Sequence, residues 1–292
     1  MRINRPFFEI AENIFVLQEN MFPLYLIKGE KNFLIDSSIS AYGESIGKKL
    51  KELPGEEKVQ NIMLTHSHYD HTGALPYLQK LFEPDIYGSE RTIELLERED
   101  VRNFIKDMNN RFNEVLGTGR TDEFPMLKNL KKLKNGDRIK IDNSRFMEVV
   151  STPGHTKCSI SFFLHPDKIL FPGDATGVIE RNNKPKPLFL SDYDQYVNSI
   201  KGLMELDAEM ICLPHNNYIK GAERVKKHIQ NSLESAVDLK EKIESALNSG
   251  LDVESVSRQI MESEFPQPTV QGPEEAFNIN LHSMVRAVKK LQ

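Results

Sequence analysis

The chain has 292 residues and a formal net charge of −5, from 38 Lys and Arg against 43 Asp and Glu. That balance argues against a nucleic-acid binder, which needs clustered basic residues, and no apolar run approaches the roughly 18 residues of a membrane span. With 39% hydrophobic and 28% charged residues, the composition fits a soluble globular protein whose length suffices to bury a large core.

No charged-then-apolar leader opens "MRINRPFFEIAENIFVL", which Pro, Glu and Asn interrupt, so the expected compartment is the cytoplasm. Cys158 and Cys212 are too few for a disulfide framework, and their apolar neighbours mark them as small buried residues. The chain begins with short strands: "NIFVLQ", "FPLYLIKG" and "NFLIDSS" are β-rich and spaced as in an antiparallel meander. "YGESIGKKLKEL" then has helical spacing at Ile46, Leu50 and Leu53 and stops at Pro54-Gly55. An apolar strand "VQNIMLTH", a helix starting within 72–82 and a strand "PDIYGS" follow.

Residues 89–116 are charged with apolar positions at helical intervals, which predicts one or two helices. The Lys-rich "LKNLKKLKNGDRIKI" reads either as a local basic patch or as the solvated face of a hairpin. "DRIKI", "RFMEVVST", "SISFFLH" and "KILFPGD" predict four strands in quick succession. A helix capped by Asp or Ser covers "DYDQYVNSIKGLMEL", and "EMICLPH" is the last strand. From about residue 223 the pattern is wholly helical. Two runs of strands, each followed by helices, suggest two packed sheets covered outside by helices.

The stretch that carries the chemistry is "MLTHSHYDHTGALPYL", which sets His66, His68, Asp70 and His71 directly after an apolar strand. Residues two apart on an extended chain face the same side, and a turn can bring Asp70 and His71 round to join the two histidines. Imidazole nitrogens and carboxylate oxygens are the usual ligands of zinc and similar divalent ions. Three more strand ends carry candidate ligands: His155 in "VVSTPGHTKCS", Asp174 in "ILFPGDATG" and His215 in "MICLPHNNY". Sites are often built where rigid strands run out into loops. Together these seven side chains supply two three-ligand metal sites with one carboxylate shared.

His-x-His-x-Asp-His, then Gly-His-Thr, then Gly-Asp, then a late Pro-adjacent His, in that order, resembles the metallo-β-lactamase-fold hydrolases over roughly residues 10–220. The resemblance implies an α/β, four-layer αββα sandwich with a C-terminal helical extension. It implies one metal on His66, His68 and His155, a second on Asp70, His71 and His215, and Asp174 bridging both. The late motif reads Leu213-Pro214-His215-Asn216 where the family usually has Pro-Gly-His-Gly. Cys158 does not match the thiolate ligand of true β-lactamases, so antibiotic hydrolysis is not expected.

The expected organisation is a catalytic domain over 1–222, with a helical insertion at about 89–134, and a helical region over 223–292 capping the substrate pocket. Two divalent ions, zinc or iron with manganese also suitable, would make hydroxide available between them to attack a carbonyl. Asp70 is a ligand first and, by family analogy, the acceptor of the attacking water's proton. The helical C-terminus resembles glyoxalase-II-like members, which hydrolyse thioesters. "GSERT", "KPLFLSDYDQYVNSIKGL" and "NLHSMVRAVKKL" look like the quinolone-signal-response thioesterase branch, which would bring Ser283 and His282 towards substrate. A small-molecule thioester or other ester is the expected partner, with a homodimer plausible from apolar faces on the last helices. The alternatives are a lactonase or phosphodiesterase of the same fold and, outside catalysis, a metal-bearing interaction protein.

Overall fold

A computed structural model of the chain describes residues 7–19, 22–52, 59–179, 184–215, 217–265 and 273–290. Pro54-Gly55, the expected stop of the first helix, and Asn216 of the late motif lie outside the described residues. The N-terminal meander forms as strands β1 (Phe7–Ala11), β2 (Ile14–Leu17), β3 (Leu24–Ile27) and β4 (Asn32–Ile35), all antiparallel. Helix α1 (Gly43–Glu52) leads to β5 (Val59–Met63), and α2 (Tyr69–Thr72) and α3 (Leu75–Phe82) lead to β6 (Asp85–Ser89). The helix expected to start within 72–82 is α3, which begins at Leu75, and the short α2 precedes it. Helices α4 (Glu90–Glu97) and α5 (Glu99–Val115) precede β7 (Leu130–Leu133). Strands β4 to β7 run parallel, completing a seven-stranded sheet in sequence order.

The expected helical insertion therefore ends at Val115, and Leu130–Leu133 is a strand. It does not pair with its neighbour in sequence, β8 (Arg138–Lys140); β8 belongs to the second sheet, so the Lys-rich stretch is no hairpin. The second sheet continues with β9 (Phe146–Ser151), β10 (Ile160–His165) and β11 (Ile169–Phe171). A 3-10 turn (Gly173–Thr176) follows, then the two-stranded β12 (Val178–Ile179) and β13 (Pro185–Lys186), helix α6 (Tyr193–Met204), β14 (Met210–Cys212) and β15 (Tyr218–Lys220). Its six strands lie in the order β15-β14-β11-β10-β9-β8. Helices α7 (Ala222–Asn248), α8 (Val253–Glu264) and α9 (Glu274–Lys289) complete the chain.

Alternation along the strands explains the layering. On β10, Ile160, Phe162 and Leu164 join Val16, Ile27, Phe33 and Met63 of the first sheet in an apolar core between the sheets, as period-two patterning requires. Phe163 on the same strand faces the other way, into a cluster with α6, α7, α8 and α9. The outer face of the first sheet, through Leu26, Leu34 and Ile62, is covered by Ile46, Leu78 and Ile105 of α1, α3 and α5. The result is a four-layer αββα sandwich. The two sheets are also tied by a buried hydrogen bond from Tyr25 Oη to the Leu213 carbonyl, 2.9 Å, two residues before His215.

Candidate metal centre

All seven candidate ligands sit where strands end at one edge of the sandwich. Leu64 and Thr65 lead from the end of β5 to His66, and His68 has an extended backbone where it caps α2. The single turn of α2 then swings Asp70 and His71 back towards His66, whose ring lies 4.1 Å from that of His71. His155 follows β9, Asp174 lies in the 3-10 turn after β11, and His215 follows β14. Two glycines make the close approaches possible. Gly154, with φ +126°, sits where a Cβ would fall 2.2 Å from the backbone of Tyr196, and Gly173, with φ +55°, where it would fall 2.8 Å from Thr65 Cβ.

The seven side chains form two clusters: His66, His68, His155 and Asp174, and Asp70, His71 and His215. In the first, His155 Nε2 lies 3.2 Å from His66 Nε2, 3.0 Å from His68 Nδ1 and 3.3 Å from Asp174 Oδ2. In the second, His215 Nε2 and His71 Nε2 lie 3.7 and 3.9 Å from Asp70 Oδ2, and 3.1 and 3.5 Å from Asp174 Oδ1. Asp174 thus turns one oxygen to each cluster.

The donor set fits metal ions on several counts. Asp174 Oδ1, His71 Nε2 and His215 Nδ1 are buried and find no hydrogen-bond partner among the described residues, a costly state that coordination of the first two would relieve. Burial holds His68 and His155 down at about 4 and, with the neighbouring histidines, keeps His66 well below its ordinary range. These rings are neutral and keep a lone pair to donate. Burial opposes the charged form of His71, but Asp36, Asp174 and Asp70 outweigh it and raise its pKa. His215 is raised in the same way, with burial outweighed by Asp174 and Asp70. For Asp174, burial is outweighed by His215, His71 and His155, which hold the carboxyl well below its usual range. A cation is therefore favoured where the carboxylates converge.

The rings are oriented from behind. Asp36 Oδ2 accepts from His71 Nδ1 at 2.8 Å and is itself fixed by the backbone and hydroxyl of Thr65. His155 Nδ1 donates to the Leu188 carbonyl at 2.8 Å, leaving Nε2 to face the cluster, and Thr65 Oγ1 lies 3.1 Å from His66 Nδ1. Such partners set tautomer and basicity. The ring of Phe22 packs edge-on against His215, 5.5 Å between centroids.

The centre opens on a cavity of about 1040 Å³ that reaches His68, Asp70, His155, Asp174 and His215. Its walls are largely apolar, from Leu95, Phe104 and Phe112 on one side to Met261, Phe265 and Phe277 on the other. Ser283 lines this cavity. His282 is not brought to it; its Nε2 pairs with Glu254 Oε2 at 3.1 Å, outside the site. Sequence reasoning missed Asp36, whose only signal was an acidic residue at the end of "NFLID", and missed Arg91, Lys157 and Lys186 in the cavity wall.

Residues 23–215 match the metallo-beta-lactamase superfamily. The chain belongs to that superfamily. A metallo-beta-lactamase fold-containing protein of Sulfurisphaera tokodaii is 26% identical over 224 residues, 72% of this chain and 78% of its own. A hydroxyacylglutathione hydrolase of Haemophilus influenzae is 30% identical over 194 residues, 65% of this chain and 83% of its own. A metallo-beta-lactamase family protein of Thermus thermophilus shares the fold at a TM-score of 0.68 with 18% identity, across 97% of this chain and 95% of that one. Among the described residues no helix is long and apolar enough to cross a membrane.

Proposed function

We propose that this superfamily member is a dinuclear metal-dependent hydrolase acting on the thioester bond of a small molecule. The observation that carries the reading is Asp174, whose two oxygens face two separate ligand clusters, the arrangement that two neighbouring ions require. His66, His68 and His155 would hold one ion, Asp70, His71 and His215 the other, with zinc or iron the expected metals. Bound there, such ions lower the pKa of water towards 7 and polarise a carbonyl oxygen.

The chain's own residues supply the rest. Asp70 is only partly buried and borders the cavity, so its carboxylate can take up the proton released as water attacks. The apolar walls exclude bulk water and accept an acyl group. Ser283, on α9, lines the same cavity and offers it a hydroxyl. A thiolate, whose conjugate acid has a pKa of roughly 8.5, leaves without a strong acid beside it, and no dedicated proton donor is needed. The relative from Haemophilus points the same way, since its name specifies hydrolysis of an acyl-glutathione. We further propose that the helices after residue 222 cap the substrate pocket, as Met261, Phe265 and Phe277 in its wall suggest, and that the protein works in the cytoplasm.

The test is elemental analysis of the purified protein followed by a panel of thioesters, lactones and phosphodiesters. Two divalent ions per chain and preferential thioester turnover, lost in His68→Ala, are expected. Full activity in that variant, or a protein that binds no divalent ion, would overturn the assignment.

A further inference from the structure

Beside the main cavity lies a second hollow of about 360 Å³, and Arg91, Lys157 and Cys158 line both. Its walls come from the start of α4, the turn at Lys134 and Asn135, and the loop that carries His155. Ser89 Oγ donates to the Cys158 carbonyl at 2.7 Å, pinning the α4 wall to that loop. The hollow thus begins within three residues of a metal-cluster histidine.

Its charge is uneven. Arg91, Lys134 and Lys157 form no ion pair among the described residues. The two acids in the walls share one lysine outside the lining: Glu94 and Glu90 lie 3.3 and 4.0 Å from Lys132. The hollow and its rim therefore carry net positive charge, with Arg91, Lys134 and Lys157 outside any ion pair among the described residues, and adjoin a cavity that is mainly apolar. This division matches a substrate with an apolar half and a charged half, joined at the bond to be cut.

Resting on the thioester reading, we infer that the basic hollow binds the multiply anionic tail of the thiol half of the substrate, while the apolar cavity takes the acyl half. The tail's oxyanions, phosphate or carboxylate, meet Arg91 at the threshold, then Lys157 and Lys134. Arg91 and Lys157 are specificity-determining residues. They act on which thiol is accepted, through contacts made equally before and during reaction, so their effect falls on KM more than on kcat.

The experiment compares the metal-loaded wild type with Arg91→Ala/Lys157→Ala and with Lys201→Ala, a surface control on α6. Acyl thioesters of coenzyme A, of glutathione and of the uncharged thiol N-acetylcysteamine share one acyl group. In the double variant the preference for anionic over uncharged thioesters, as a ratio of kcat/KM, should fall about 10- to 100-fold through KM; Lys201→Ala should leave it unchanged. A coenzyme A preference assigns phosphate to the hollow, and a glutathione preference assigns carboxylate. An unaltered ratio in the double variant overturns the inference. Calorimetry with free coenzyme A and free glutathione separates the two levels of argument. Thiol binding that the double variant weakens supports the hollow even if no thioester is hydrolysed, which would sink the hydrolase reading alone. Absence of binding by either thiol, with equal turnover of all three esters, sinks the hollow alone.

Discussion

At the scale of single residues, Asp36 holds more of the site than its distance from it suggests. It is buried, has φ +58°, and accepts from His71 and Thr65 at once. Asp36→Asn keeps the shape and removes the charge, so affinity for a divalent ion at the His71 cluster should drop about 10- to 100-fold. Competition with a chromophoric chelator measures this, and unaltered affinity would remove Asp36 from the site. His228 on α7 offers a separate test. It is buried, its Nε2 has no partner among the described residues, and burial lowers its pKa from 6.5 to about 4. The unfolded chain therefore binds more protons between those two values. Stability from this residue is complete above the unfolded pKa and lost as pH falls towards 4. His228→Leu should abolish that share of the loss, about 1–2 kcal/mol at pH near 5 by urea unfolding. The two clusters were legible in sequence because side chains able to bind metal stand out by type and spacing. Asp36, Thr65 and the Leu188 carbonyl were not, since a group that supports a ligand needs only to be near it in space.

Among the elements, legibility followed how many faces a segment buries. Strands β3, β4 and β10 bury nearly every side chain and stand out as apolar runs. Strand β7, "LKKL", exposes its two lysines, and the Asn135-Gly136 turn after it is a hairpin signal. Here that turn instead carries the chain between sheets, because β7 pairs with β6 and β8 with β9. The strand-end glycines make a prediction at this scale. Gly154→Ala would press a methyl into the Tyr196 backbone at a φ that side chains rarely adopt. The loop bearing His155 should shift, with loss of bound metal and a lower melting temperature, both read on the same sample. Retained metal content would show that the loop tolerates the change.

For the whole molecule, the helices after residue 222 share one buried cluster with β10, β11 and β14, which holds Met284, Val285 and Val288 as well as Leu170 and Ile211. Met284, wholly buried, is a direct probe of that dependence, and Met284→Ala should cost about 2–5 kcal/mol of unfolding free energy. A cost near zero would mean that α9 packs loosely on the rest. Removal of metal acts at the same scale. An ion that binds only the folded chain adds about 2.7 kcal/mol at a hundredfold excess over its Kd, so a chelator should lower the melting temperature by about 5–10 °C. No change would mean that the clusters hold nothing when the protein is folded.

The crossing between β7 and β8 divides the ligands unequally but interleaves them. His66, His68, Asp70 and His71 precede it, while His155, Asp174 and His215 follow it, and each cluster draws on both groups. Bound ions would thus rivet the front half of the polypeptide to the back half. Slippage of one sheet past the other by a single residue, roughly 3.3 Å, would pull both clusters apart. Two fragments cut at the Asn135-Gly136 turn should then reassemble far more readily with divalent metal than with chelator, so that the ions would serve as glue as well as reagents.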